Sequence, residues 1–397
     1  MLKTSPTAEA LSIDSYPTEG LYRSPQYSSP QYSSPQLIVD LQTKGLNLPA
    51  ADTDNSKGAQ GRKGGAGPSD HKAITIGQTT VMVPIYTSGA AQSPYSVESD
   101  RATGKSYLTR NNRILTQLDF PHQPKFYSQQ TADGIPYSHI ALLHSHNVLA
   151  TTVLQTCIRY ENRKTACQFC AIGQSLAAGR TIAKKTPEQL TEVAEAAVRL
   201  DGVEHMIMTT GTPNTTDRGA AYLTDCAKAI RAQVDIPIQA QCEPPDDFIW
   251  FKRMRNAGID SLGMHLEAAD PEVRSRIMPG KAKVPVSYYF EAFAAAVKIF
   301  GRGQVSTYLL AGLGDSKETL LSISDRLIEA GVYPFVVPFV PITGTPLAHY
   351  KPPSSEFMFD LYQAIGQKLK QANLLSSDMK AGCAKCGACS ALSRFES

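Results

Sequence analysis

From about residue 147 onward the sequence alternates short apolar, β-branched stretches with amphipathic helical ones, one pair roughly every 30 residues or more, and this rhythm leaves few folds open. Six strands are predicted, at "VLATTVLQT", "HMIMTTG", "IPIQAQCE", "SLGMHLEA", "QVSTYLLAG" and "PFVVPFVP". The helix between the first two is well marked. Thr186 stands at its N-cap with Gln189 at the capping-box position, and Pro187 fits the first turn. Leu190, Val193, Ala197 and Leu200 share one face, and Gly202 ends it. "PPDDFIWFKRMRNAG", "VPVSYYFEAFAAAVKIFG" and "DSKETLLSISDRLIEAG" repeat the plan, each stopping at Gly. Such βα units build a parallel sheet, because parallel strands need long crossovers. The pattern predicts an α/β chain whose residues 147–350 form a partial (β/α)6, TIM-like barrel, with chemistry at the C-terminal ends of the strands.

The flanks read differently. Residues 1–70 carry the five-residue repeat "SPQYSSPQYSSPQ" and the Gly-rich "NSKGAQGRKGGAGPSD", too poor in apolar side chains to offset ordering entropy, and predict a disordered low-complexity tail. "GRKGGAG" can cradle a phosphate through its N–H groups, but it lacks the Lys-Ser/Thr ending of a P-loop and follows no strand, so a linker is the simpler reading. Residues 71–146 predict a small β-containing N-terminal layer, with "ITIGQTTVMVPIY" as a hairpin turning at Gly77 and Gln78. His139, His144 and His146 crowd "SHIALLHSH" and invite a metal reading, but with no carboxylate or cysteine beside them they read better as satisfied or surface histidines. Residues 351–397 hold a helix and a Cys-rich tail.

A formal charge of +3, from 39 Lys and Arg against 36 Asp and Glu, gives no electrostatic case for nucleic acid or an anionic membrane, and a small-molecule partner is expected. No apolar run approaches the ~18 residues of a membrane span, and "MLKTSPTAEALSIDS" lacks the apolar core of a signal peptide. A cytoplasmic location is expected.

Eight cysteines in such a chain speak for metal or redox chemistry, because a reducing compartment keeps thiols from pairing. Cys157, Cys167 and Cys170 form C-x9-C-x2-C directly after the first barrel strand, at its chemical end. Structural zinc wants four ligands, and no fourth cysteine or histidine stands near. A [4Fe–4S] cluster takes one thiolate per iron, so three leave one iron open to a non-protein ligand; a catalytic zinc with three protein ligands and a water is the rival. Cys383, Cys386 and Cys389 form C-x2-C-x2-C, a bacterial ferredoxin run with Ser393 where its fourth cysteine would stand. A second cluster with a labile or open iron is expected there, with Lys380 and Lys385 to offset its charge, and a zinc knuckle is the alternative. Cys226 reads as a small buried residue of a helix; Cys242, ending the third strand beside Glu243, is either buried or faces a substrate.

Together with the strand ends, the first triplet resembles the radical S-adenosylmethionine (SAM) superfamily, in which the open iron is chelated by the amino and carboxylate groups of the methionine moiety. The usual spacing there is C-x3-C-x2-C. This chain has a six-residue insertion between the first two cysteines and keeps Phe169 before the last, where the family packs a ring near the adenine. The resemblance assigns Thr209, Thr210, Gly211 and Thr212 of "TTGTP" to the turn that meets the cofactor's ammonium group, with carbonyls and hydroxyls in place of a Glu. It places Glu267 of "MHLEA" near the ribose and Arg274 or Arg276 of "VRSRIMPG" near the carboxylate. "YLLAGLGDSKE" is similar to G-x-I-x-G-x-x-E, with Leu310, Gly312 and Asp315 in register and Tyr308 replacing the first Gly; Gly312 would let the backbone approach the adenine. "VPFVPITGTPL" resembles the Pro-x-x-Gly-Thr-Pro-Leu ending seen near the biotin synthase group. Over residues 71–397, "ATTVLQTC", "CQFCAIG", "QCEPPDD", "RIMPGK" and "AGCAKCGACSALS" are most similar to the branch found in nitrilase-associated bacterial gene clusters, which includes the thiosugar-forming enzyme of albomycin biosynthesis.

The resemblance implies reductive cleavage of SAM at the first cluster, a 5′-deoxyadenosyl radical that abstracts hydrogen from a small-molecule substrate, and a reducing partner such as a ferredoxin or flavodoxin. The expected fate of the substrate is sulfur insertion or sulfur-for-oxygen exchange with the C-terminal cluster. The alternatives are oxidation or rearrangement with that cluster as electron relay or substrate anchor, and a non-catalytic two-cluster electron carrier or sensor.

Overall fold

The computed structural model describes residues 34–48, 70–87, 89–100 and 102–397. Helix α1 (Pro35–Lys44) precedes an antiparallel hairpin, β1 (His71–Ile76) and β2 (Thr79–Pro84), and a three-stranded antiparallel sheet of β3 (Tyr95–Ser99), β4 (Ser106–Arg110) and β5 (Arg113–Leu118). The short β6 (Leu142–His144) then leads into the repeating part, which begins with β7 (Val148–Thr152), α2 (Pro187–Asp201), β8 (His205–Thr209), α3 (Ala220–Gln233) and β9 (Ile238–Gln241). It continues through α4 (Ile249–Asn256), β10 (Ser261–Gly263), α5 (Pro271–Ile277), α6 (Val286–Phe300), β11 (Val305–Ala311), α7 (Lys317–Glu329) and β12 (Val332–Pro338). Helix α8 (Ser355–Gln371) leads to the C-terminal cysteines.

All six predicted barrel strands are present as β7 to β12, mutually parallel and in sequence order across one seven-stranded sheet, with β6 antiparallel on the free edge of β7. β12 pairs only with β11, so the sheet curls without closing and forms the expected partial (β/α)6 barrel. Helix α2 shows how local chemistry sets an element. Thr186 Oγ1 accepts from the Gln189 N–H at 3.2 Å, the Gln189 side chain returns to the Thr186 N–H at 2.9 Å, and Gly202 closes the helix at φ +64°. The apolar stripes of the helices, such as Leu190, Val193 and Ala197 of α2 or Leu320 and Leu327 of α7, are fully buried against the outer face of the sheet. Each large aliphatic side chain buried this way contributes about 1.5–3 kcal/mol. Strand β10 is shorter than "SLGMHLEA" suggests, because regular ladder pairing stops after Gly263 and a bridge to β11 forms again at Glu267 and Leu309.

The N-terminal layer contains the predicted hairpin, with Ile76 facing Thr79 across a Gly77-Gln78 turn and Gly77 at φ +59°. The expectation of an unstructured 1–70 is narrowed by α1. Ser34, from the last copy of the repeat, caps it by accepting from the Leu37 N–H at 3.3 Å, and Leu37, Ile38, Val39 and Leu41 are buried. A composition averaged over seventy residues hid this ten-residue amphipathic run. The Tyr95 hydroxyl donates to Asp40 at 2.7 Å and fixes the helix to β3. Residues 1–33 and 49–69, with "GRKGGAG", lie outside the described residues. The layer docks on the C-terminal cysteine loop: the Met82 N–H and the Gln42 side chain both donate to the Ala388 carbonyl, at 2.8 and 3.2 Å. No helix among the described residues is long and apolar enough to cross a membrane.

Replacing Thr186 with Ala removes the capping box. It should lower stability by about 1 kcal/mol, read as a shifted urea midpoint, and leave the iron content of the reconstituted protein unchanged.

Candidate functional site

Inside the curl lies a cavity of about 360 Å³. At the C-terminal ends of the strands it is lined by Phe169, Cys170, Thr209, Thr210, Glu267 and Leu310; elsewhere its wall holds His144, Cys383 and Cys389. The C-terminal triplet sits at the opposite, N-terminal ends of the strands. The Gly382 N–H donates to Nδ1 of His205, the first residue of β8, at 3.3 Å, and the Cys383 N–H donates to Gln239 Oε1 near the start of β9, also at 3.3 Å. Gln304, just before β11, bonds the Asp378 carbonyl and the Lys380 N–H at 2.8 and 3.0 Å. Gly382, at φ +116°, has no room for a side chain, since a Cβ would fall 2.3 Å from the Gln239 carboxamide. At ~3.3 Å per residue, the four steps from Ser306 to Leu310 along β11 span roughly 13 Å, which sets the scale between the two ends.

The first triplet rides on a loop strapped by four backbone hydrogen bonds. Gly211 N–H donates to the Leu154 carbonyl at 2.9 Å and Ile158 N–H to the Thr212 carbonyl at 3.0 Å. Gly280 N–H reaches the Thr165 carbonyl at 3.0 Å, and Gln168 N–H the Ile277 carbonyl at 2.8 Å. A Cβ at Gly211 would lie 2.0 Å from the Thr156 carbonyl oxygen and 3.1 Å from Cys157 Cβ, so the residue is a glycine because the cysteine loop lies directly on it. The six-residue insertion is anchored by Arg159. Its guanidinium forks onto Glu243 with two 2.6 Å bonds and also reaches the Gly280 carbonyl, while Thr212 Oγ1 donates to Glu243 Oε1 at 2.7 Å. Burial alone would raise the Glu243 carboxyl; Arg159, Lys281 and Thr212 outweigh it and hold the carboxyl below its ordinary value. Burial pushes the Cys170 thiol up to about 12, with Cys157 and Glu267 adding to the rise, and raises Cys167 with help from Glu267 and Cys170. Buried thiols such as Cys167 and Cys170 need positive charge nearby before they ionise, and the irons of a cluster would be such charge. The donor set fits a three-thiolate cluster with one iron left free. Among the described residues, no three His, Cys, Asp or Glu side chains are gathered as they would be round a single metal ion.

The other predicted residues divide. Phe169, Thr209, Thr210 and Glu267 line the cavity. Glu267 does so from φ +66°, an unusual conformation for a residue with a side chain, with its carboxylate 2.8 Å from Lys281 Nζ. Burial would depress the Lys281 ammonium, but Glu267, Tyr289 and Glu243 lift it above the ordinary lysine value, so the ammonium keeps its charge. Thr212 is spent on Glu243. Arg274 departs from the expected carboxylate contact: its buried guanidinium donates to the carbonyls of Leu266, Ala268 and Val284 at 2.7, 3.0 and 3.2 Å, and so shapes the loop that carries Glu267. Arg276 is exposed beside Gly314, away from the cavity. Gly312, at φ +108°, makes room for the Pro353 ring, whose Cδ would lie 2.8 Å from a Cβ, and it is not part of the cavity wall. Asp315 accepts from the N–H groups of Ala269 and Asp270 at 2.8 and 2.9 Å, a brace for the same loop. Cys226 and Cys242 are both buried, and neither lines the cavity.

Several residues of the cavity escaped the sequence reading. Gln239 and Gln241 alternate with Ile238 and Ala240 in β9, so the inner face of that strand is polar. Gln241 Nε2 bonds Gln239 Oε1 at 2.7 Å and Cys383 Sγ at 3.2 Å. Tyr308, the residue in place of a family Gly, packs edge-on against His265 with ring centroids 4.4 Å apart and also interacts with Cys383. His265 Nδ1 accepts from the Tyr308 N–H at 3.2 Å, which leaves the ring proton on Nε2, and that buried atom has no partner. Burial holds this imidazole neutral, well below the ordinary histidine value. His144, half-buried in the cavity wall, is satisfied by a distant partner: its Nε2 lies 3.5 Å from Cys389 Sγ. The period-2 polarity of "IQAQ" was the one sequence signal available for any of these.

Two substitutions test this construction. Gly211→Ala should displace Cys157 and reduce iron at the first triplet while far-UV circular dichroism stays native. Arg159→Ala leaves Glu243 buried without its main partner and should destabilise by about 3–5 kcal/mol; the double variant Arg159→Ala/Glu243→Ala should lose less than the sum. Because the folded Glu243 pKa lies below 4.5, the pair's contribution is full above pH 4.5 and is lost as pH falls through the lower folded value.

Residues 162–327 match the family model described as Radical SAM superfamily. The match includes Cys167, Cys170 and strands β8 to β11; Cys157 and the C-terminal triplet lie outside it. Bacteriochlorophyllide c C-7(1)-hydroxylase of Chlorobaculum limnaeum is 29% identical over 223 residues, 51% of this chain and 55% of that protein, so the chain spans about half the length of the curated relative it matches. Among solved structures, a radical SAM methyltransferase from Sphaerobacter thermophilus is 15% identical, with a TM-score of 0.45, covering 78% of this chain and 82% of that one. Coproporphyrinogen III oxidase from Escherichia coli is 19% identical, with a TM-score of 0.34, covering 43% of this chain and 41% of that one. Residues 162–327 thus match a radical SAM superfamily domain, and that family implies a [4Fe–4S] cluster and SAM.

Proposed function

We propose that this chain is a radical SAM enzyme that holds a small molecule between two cysteine-bound [4Fe–4S] clusters and replaces one of its bonds to hydrogen or oxygen with a bond to sulfur. One observation carries the reading: a single cavity of about 360 Å³ has Cys170 in its wall at one end of the strands and Cys383 and Cys389 at the other. That volume is in the range of small-molecule sites. When bound, the two groups would supply a 5′-deoxyadenosyl radical to take a hydrogen atom from a C–H bond, and a sulfide to bond to that carbon, the released electron reducing a ferric iron of the C-terminal cluster as its iron–sulfur bond breaks.

The chain's own part is placement. Thr209 and Thr210 present hydroxyl and carbonyl acceptors to a cationic ammonium group at the strand ends. Glu267, held by Lys281, is the carboxylate available to ribose hydroxyls. His265, in the cavity wall, offers its Nε2–H to an acceptor on the substrate, and Phe169, Leu310 and Phe339 keep that space dry. A one-electron donor such as a ferredoxin or flavodoxin is the proposed reducing partner. The likeness of "QCEPPDD" and "AGCAKCGACSALS" to the nitrilase-associated branch supports sulfur as the incoming atom. The hydroxylase of Chlorobaculum limnaeum favours a second reading, oxidation of a carbon centre with the C-terminal cluster as relay.

Anaerobic reconstitution should give about eight irons per chain, falling to about four when Cys383, Cys386 and Cys389 are replaced by Ala. With dithionite, the native protein should convert SAM to 5′-deoxyadenosine, and Cys170→Ala should not. Loss of cluster sulfide in a single turnover supports sulfur transfer; sulfide retained through turnover selects the relay. Zinc in place of iron, or a count near four that the triple substitution leaves unchanged, removes the second cluster and the reading with it.

A further inference from the structure

We infer that His144 is the fourth protein ligand of the C-terminal cluster, through Nε2, where the spacing of the triplet had suggested Ser393; this rests on the two-cluster reading above. His144 ends β6, and its pairing with Val148 puts it at the N-terminal end of β7, the end at which the triplet docks. The turn that follows is strained toward the same place: Ser145 is buried at φ +60°, with its hydroxyl at Cys386. His144 Nε2 lies 3.5 Å from Cys389 Sγ, and both residues line the cavity.

The neighbours of the three thiols separate by chemistry. Gln241 presents an amide N–H to Cys383 at 3.2 Å, a donor with no lone pair for iron. Tyr308 and Ser145 present hydroxyls to Cys383 and Cys386. His144 alone among these brings a nitrogen base, a proven ligand of iron in Fe–S centres. Ser393 is half-buried with its Oγ beside Gly387, 3.4 Å from where a Cβ there would stand, and it is not part of the cavity wall. An imidazole in place of a fourth thiolate leaves the cluster one unit less negative and raises its reduction potential. It also places the most exchangeable ligand on the cavity side, where a substrate or an outgoing sulfide must pass.

The test uses the full chain with Cys157, Cys167 and Cys170 replaced by Ala, so that the C-terminal cluster is alone. Reconstitution should give about four irons, and the reduced protein grown with ¹⁵N-histidine should show the hyperfine coupling of a directly bound imidazole by pulsed EPR. His144→Ala should lose that coupling. His144→Cys should keep the iron, lose the coupling and shift the midpoint potential to a more negative value, which separates ligation from a folding defect. Ser393→Ala should change none of these. Four irons without strong nitrogen coupling, or a coupling that survives in both His144 variants, overturns the assignment while leaving the second cluster in place. A natively folded protein with no iron removes the two-cluster reading itself.

Discussion

A parallel sheet that curls but does not close has an inner face that no helix covers, and this protein is organised around filling it. Six strands bury their outer side chains under helices in the ordinary way. The inner face carries Gln239, Gln241, His265, Ser306 and Tyr308, polar groups that stay buried only if each finds a partner. The C-terminal cysteine loop supplies part of that partnership, with Gly382, Cys383 and Lys380 bonded to His205, Gln239, Gln241 and Gln304. The N-terminal hairpin and α1 then hold this plug from outside through the Ala388 carbonyl. Two segments about 350 residues apart, judged from Gln42 and Ala388 at a separation of 346, are thereby needed for one barrel.

At the other end the same economy of charge governs the first cysteine loop. Arg159 and Glu243, Lys281 and Glu267 are two buried ion pairs, each with further hydrogen bonds. Such pairs add little net stability, because desolvation consumes most of the Coulomb gain, but they fix where the chain must run. Arg159 sets the path of the insertion between the first two cysteines, and Lys281 sets the direction of the Glu267 carboxylate. Arg274 performs a similar service with carbonyls. A charged residue in a motif is therefore as readily a brace for the site as a contact within it.

Much of the fold was legible in advance. The capping box at Thr186 and Gln189, the glycines that end the helices and the apolar strands are local signals, and each acts within a few residues of where it is written. The cysteine triplets were legible as motifs for the same reason. Residues read from their position in a motif fared unevenly: Thr209, Thr210 and Glu267 face the cavity, whereas Arg274, Arg276 and Gly312 do other work. The pattern fixed their order along the chain, but a side chain at a strand end can turn toward the cavity or toward a neighbouring loop, and nearby carbonyls decided that for Arg274. His144 was unreadable for a simpler reason. Its partner Cys389 lies 245 residues away, and no local pattern announces such a contact.

By itself the sequence determined the periodic elements, their order, the parallel sheet they must build and the two sets of thiols at its disposal, because all of these follow from short-range spacing and hydrophobic pattern. Only the tertiary structure decided that the two triplets face one cavity from opposite ends of the strands, and which polar side chains stand between them. That outcome depends on how far the sheet curls and on which distant segments plug it, quantities set by long-range packing and by the need to satisfy every buried polar group.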